Sequence, residues 1–170
     1  MNIDLLKETI EHVGTGIRPD GDWLPTLIVE KDIGGEKPST SVIPMIGATE
    51  DEASRMITAL AITATLRKLK ATAAAWITTA WTVQLENATN AQKRDALNLA
   101  SQHKLVQHHA KFEVVVAMVA IRNAPMIGLT GRIIRSDSYP KVKWMKEWRE
   151  EGEAHFGGRF PEALRDGMNW

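Results

Sequence analysis

The chain has 170 residues and no cysteine, and its 21 basic side chains are balanced by 21 acidic ones. That length fits one domain with a core of its own, and the missing thiols exclude disulfides, thiolate metal sites and cysteine nucleophiles. Zero net charge argues against a nucleic-acid binder, which usually carries a strong basic excess or stripe.

The charge is unevenly spread, with 4 basic and 9 acidic side chains in residues 1–50 but 9 and 5 in residues 51–122. These opposite excesses can meet inside one fold. The opening MNIDLLKETIEHVG lacks the basic start and long apolar stretch of a secretory signal. The longest apolar run, at 114–121, is strand-length and far from the ~20 residues a membrane span needs. A cytoplasmic protein without a membrane partner is expected.

Ile3, Leu6, Ile10 and Val13 recur at helical spacing and predict an N-terminal helix that stops at Gly14. After a loop rich in Gly, Pro and Asp, the runs Leu24–Lys31 and Ser39–Ile46 flank the turn segment DIGGEKP and predict an antiparallel hairpin. Pro25 and Pro44 cannot donate to a ladder, so both runs should lie at a sheet edge or end there. Thr49 and Glu52 have the spacing of a capping box before a long helix. Ala53, Met56, Ile57, Leu60 and Ala64 share one face of that helix. This face is expected against the sheet, and Leu60→Asp should then be severely destabilising because it buries an unpaired charge.

Residues 73–86 alternate, with Ile77, Trp81, Val83 and Leu85 on one side and Thr78, Thr82, Gln84 and Glu86 on the other, as in a half-covered strand. Residues 87–110 are polar, with a short helix expected near Gln92–Ala100. KFEVVVAMVAIR at 111–122 is apolar on both sides and predicts a central strand; Asn123-Ala124-Pro125 turns the chain into a further strand at Met126–Arg135. The remainder, with Trp144, Trp148, Phe156, Phe160 and Trp170, is expected to be helical in pieces.

The result is a single α+β domain over residues 1–170: an N-terminal helix (1–14), a core (23–136) and a Trp-rich helical tail (139–170). Its order, α-β-β-α-β-β-β-α, predicts a mainly antiparallel sheet of about five strands with the long helix on one face. The other face, marked by Trp76, Phe112, Val114, Val116 and Met118, then needs a covering: the N-terminal helix, the tail or a second subunit. Trp23-x-Pro25, AAAWITTAW (73–81), FEVVVAMVAIR (112–122) and GRIIR (131–135) occur in an order that resembles a loose group of uncharacterised bacterial and phage α+β proteins. The resemblance spans about residues 20–136 and implies a fold and no activity.

Reactive constellations are sparse. His103, His108 and His109 with Glu113 supply metal-ligand residue types, and a metal-assisted hydrolase using His108, His109 and Glu113 is the alternative function they suggest. Their spacing matches no established zinc pattern. Glu86 and Glu113 flank apolar strands and could pair for acid–base work, or one could bind Lys111, Arg122 or Arg132. GGEKPST (34–40) lacks the first glycine of a phosphate loop and has Pro38 where a helix would start; no serine lies in a Gly-x-Ser-x-Gly elbow. Lys104, Lys111, Arg122, Arg132 and Arg135 are the basic residues a nucleic-acid reading would use.

Trp144 and Trp148 stand four apart, so on a helix they share a face and could anchor an interface. The expected function is therefore non-enzymatic: protein–protein contact or assembly, as a homo-oligomer or accessory subunit, with Trp76, Trp144, Trp148 and Trp170 as candidate contacts and no cofactor.

Overall fold

The computed structural model describes residues 1–35, 37–83, 85, 88–102, 104–152 and 155–169. Glu86, His103 and Trp170, singled out above, lie outside the described residues, as does Gln84. Among the described residues the fold is α+β, with four helices and a fully antiparallel sheet of six strands rather than five. In chain order the elements are α1 (Ile3–Thr15), β1 (Thr26–Lys31), β2 (Ser39–Pro44), α2 (Glu52–Leu69), β3 (Ala73–Val83), α3 (Asn90–Ser101), β4 (Lys111–Ile121), β5 (Ile127–Ile134), β6 (Lys141–Arg149) and α4 (Arg159–Met168). A short 3-10 turn, Leu105–Gln107, precedes β4. The strands lie in the order β2-β1-β3-β4-β5-β6.

The prolines sit where a ladder tolerates them: Pro25 precedes β1, and Pro44 closes β2, which forms an edge of the sheet. At the other edge, the segment expected to be helical is β6. Its sequence KVKWMKEWR has β-branched and aromatic residues between lysines, which suits a strand whose free edge must stay soluble. Among the described residues of the tail, only Arg159–Met168 is an α-helix.

Each sheet face has its own cover. On one face, Leu27, Val29, Ala74, Trp76 and Ala120 pack with Ala59, Ile62 and Leu66 of α2 and with Ala163, Leu164 and Met168 of α4. The Trp76 ring stacks on Phe160 at 4.7 Å between centroids and is 1% exposed. On the opposite face, Ile28, Ala75, Ile77, Val115, Ala117, Val119 and Leu129 pack with Leu6 and Ile10 of α1 and with Trp23. The long helix thus lies on the face it was expected to leave open: α2 and α4 together cover the Trp76 face, α1 takes the other, and this chain supplies both coverings.

Local geometry explains how close these layers come. The Asn2 side chain accepts from the amides of Asp4 and Leu5 and starts α1. The buried stripe of α1 runs Leu6, Ile10, Gly14 rather than through the half-exposed Val13. A methyl group at Gly14 would come within 2.7 Å of the Trp23 ring. Gly167 plays the same part between α4 and α2, where a methyl would lie 2.8 Å from Leu66 Cβ.

Candidate functional surface

The helix expected to present Ala53, Met56, Ile57, Leu60 and Ala64 to the core does the reverse. Its buried residues are Thr58, Ala59, Ile62 and Leu66, and that stripe carries the contacts with the sheet and α4. Ile57 and Leu60 are 64% and 65% exposed, Met56 is half exposed, and Ala53 and Ala64 lie open beside them. At about 100° per residue the two stripes point in opposite directions. The expected severe cost of Leu60→Asp is overturned for the same reason, since an aspartate there remains in water. Among the described residues α2 is therefore apolar on both sides and covered on one. The start of the helix is also displaced: Asp51, not Thr49, is the N-cap, and its carboxylate accepts from the Ser54 amide at 2.7 Å. That bond holds the Asp51 carboxyl below its ordinary value. The capping box of this chain is on α3, between Thr89 and Gln92.

Trp76, Trp144 and Trp148 are structural. Trp76 lies under Phe160. Trp144 and Trp148 share no helical face: they stand on β6 on either side of a bulge that leaves Met145 without a partner in β5. The bulge sends them to opposite faces of the sheet, each over a glycine. Trp148 lies across Gly128 and meets Phe156 edge-on at 6.0 Å, on the α4 side. Trp144 covers Gly131 on the α1 side, where its indole donates to Glu11 at 2.6 Å and Lys7 lies 5.9 Å from its ring. A side chain on Gly128 would collide with the Trp148 indole, and one on Gly131 would collide with Val142 and crowd the Trp144 ring. The pairing therefore fixes both the register and the seats of α1 and the loop before α4.

Among the described residues the metal-ligand candidates do not converge. His108 is buried, its ring stacks on His109 at 4.5 Å, and its Nδ1 accepts from the Ala110 amide. Its Nε2 lies 3.6 Å from Asp95 on α3, a carboxylate the sequence reading did not consider. Glu113 is committed elsewhere. It takes a forked pair of bonds from Arg135 on the outgoing chain of β5, the shortest at 2.7 Å. Arg135 also bonds Asp22 at 3.1 Å and the Pro19 and Gly21 carbonyls. Burial works against the Arg135 charge, but bonds and charge from Glu113 and Asp22 outweigh it and raise the pKa further. Pro19, Asp22, Glu113 and Arg135, with Thr79 and Trp81, line a cavity of about 470 Å³. Its one cation is already neutralised. Among the described residues, no group of three or more His, Asp or Glu is placed to hold a metal ion.

The basic residues proposed for nucleic acid are also dispersed. Lys111 begins β4 and Arg122 follows its last residue, about 35 Å apart at 3.3 Å per residue. Arg132 lies over the Phe112 ring at 4.7 Å, and Arg135 is locked to Glu113.

A second ionic centre ties the C-terminal layer down. Glu150, largely buried just past β6, accepts from Arg165 of α4 and from the Phe156 amide at 2.7 Å, with the Met126 amide at 3.4 Å. Burial alone would raise its pKa; the bonds from Arg165, Phe156 and Met126 prevail and hold it below the ordinary 4.5. His155 lies 3.5 Å away on the rim of a cleft of about 430 Å³, which the β4–β5 turn at Asn123–Met126 closes. The arrangement is a clamp: it fastens α4 over Trp76.

Among the described residues no helix is long and apolar enough to cross a membrane. Comparison with known proteins finds no family model, no curated protein and no solved structure that matches this chain.

Proposed function

We propose that this protein acts by contact with protein chains rather than by catalysis, as an assembly or accessory subunit working in the cytoplasm. The observation that carries the reading is the outer side of α2, where Met56, Ile57 and Leu60 stand open to water on a helix whose other side is already packed. Isolated apolar residues on a surface need no explanation, but an aligned stripe on one helix is the usual mark of a docking face. The sequence resemblance over residues 20–136 adds a bacterial or phage setting. Of the tryptophans expected as contacts, Trp76, Trp144 and Trp148 are engaged within the fold, so the contact surface of this proposal is α2.

A photo-reactive phenylalanine analogue placed at Ile57 tests the proposal in the producing cell. Adducts to polypeptide are expected at position 57 and not at Lys93, an exposed position on α3. Equal yields at both positions, or none at either, would remove the contact reading.

A further inference from the structure

We infer that the occupant of the outer α2 face is a second copy of the same chain, docked about a two-fold axis with the two α2 helices antiparallel. The inference rests on the contact reading above and adds to it the identity of the partner and the register.

Two features of α2 point to a copy of itself. The first is the spacing of the stripe. Ala53, Ile57, Leu60 and Ala64 run small, large, large, small, separated by four, three and four positions. Turning the helix end over end about a point between residues 58 and 59 lays Ile57 on Leu60 of the copy and Ala53 on Ala64. A two-fold contact demands this property, because the same patch must complement itself. The alanines at both ends let the backbones approach while the large residues interlock at the centre.

The second feature is charge. Glu50, Asp51 and Glu52 gather at the start of α2, and Arg67, Lys68 and Lys70 gather at its end, all exposed. The antiparallel register sets the acidic end of one copy against the basic end of the other, with Glu50 opposite Arg67. It also opposes the two helix dipoles. A parallel pairing would stack like charges at both ends. Some of these groups are already engaged within the chain, Glu52 with Arg159 and Arg67 with the Asp166 carbonyl. The charges therefore choose the orientation, while the apolar centre supplies the attraction. Three large side chains and two alanines are few beside the roughly 800 Å² per partner of a standard interface, so the dimer should dissociate on dilution.

The absence of cysteine makes the register directly readable. Ala53→Cys, Ala64→Cys and the double variant are each treated with a short bismaleimide at high protein concentration. In the inferred register position 53 faces position 64 of the copy, whereas two copies of position 53 are about 16 Å apart along the helix axis. The double variant should give a covalent dimer, and each single variant should give at least tenfold less. Adding Leu60→Asp to the double variant should abolish the product. Efficient dimers from either single variant would mean another register and would overturn the inference. No covalent dimer from any variant would also overturn it. In that case adducts to other polypeptides at Ile57 would show that the contact reading survives with a different partner, and their absence that both have failed.

Discussion

The two sides of α2 carry nearly the same kind of residue and live in opposite environments. Inward, Ile62 and Leu66 are fully buried between the sheet and α4; outward, Ile57 and Leu60 are about two-thirds exposed. Hydrophobicity alone does not assign a side chain to the core, because a helix apolar all round requires two coverings. What distinguishes the sides is the size of the neighbours. Ala59 and Thr58 are the small members of the inner stripe beside Ile62 and Leu66, and Gly167 lets α4 reach Leu66. The outer side presents Met56, Ile57 and Leu60 together, bulk for which the fold itself provides no receiving surface among the described residues.

The sharpest way to break this comparison is to place the same charge on each side. Ile62→Asp buries an unpaired carboxylate and should cost on the order of 4–5 kcal/mol, a large share of the roughly 5–15 kcal/mol that holds a domain together. Leu60→Asp, measured at concentrations where the chain is monomeric, should change stability by about 0.5 kcal/mol or less. Urea denaturation of the two variants compares them directly, and similar midpoints would reject the assignment of faces.

A smaller effect is expected at the clamp that keeps α4 on the inner side. Glu150→Gln leaves Arg165 with a weaker partner and should cost about 2 kcal/mol at neutral pH. Because the folded state depresses the Glu150 pKa, its contribution is present above the ordinary value of 4.5 and fades as pH falls through the lower folded value. The native protein should therefore lose stability on acidification below that range, and the variant should lose less. Parallel pH profiles in denaturation experiments would contradict the role given to Glu150. Smallest of all, Asp51→Ala should fray the first turn of α2, on which both faces depend. Faster amide exchange at Ser54 with little change in the melting point is the expected result.

Much of the architecture was legible because it rests on period and punctuation. The alternation of 73–86, the apolar run of 111–122 and the Pro- and Gly-rich turns place five of the six strands, four of them within two residues at each end, while β3 is the shorter Ala73–Val83. The faces of α2 were not legible, since Ala53-Ile57-Leu60-Ala64 and Ala59-Ile62-Leu66 are both stripes of helical period and the bulkier one drew the choice. A spacing of four also misled at Trp144 and Trp148. It fits a helical face and a strand face equally, and the bulge at Met145 then makes it neither. The Lys-Val-Lys-Trp alternation was the available signal for β6. The engagement of Glu113 by Arg135, which took Glu113 from the histidines, arises from strand register over 22 positions and leaves no local trace in the sequence. His108 meets Asp95 through a similarly non-local fold of α3 against the loop before β4.

The most direct measurement is the molar mass of native protein and of Leu60→Asp by light scattering over a wide concentration range. The native chain should rise from 18.9 kDa toward twice that mass as concentration increases. Leu60→Asp should stay at the monomer mass while melting like the parent. A native chain that remains monomeric throughout, or a Leu60→Asp protein that unfolds, would contradict an α2 with one side built for the core and the other for a second copy.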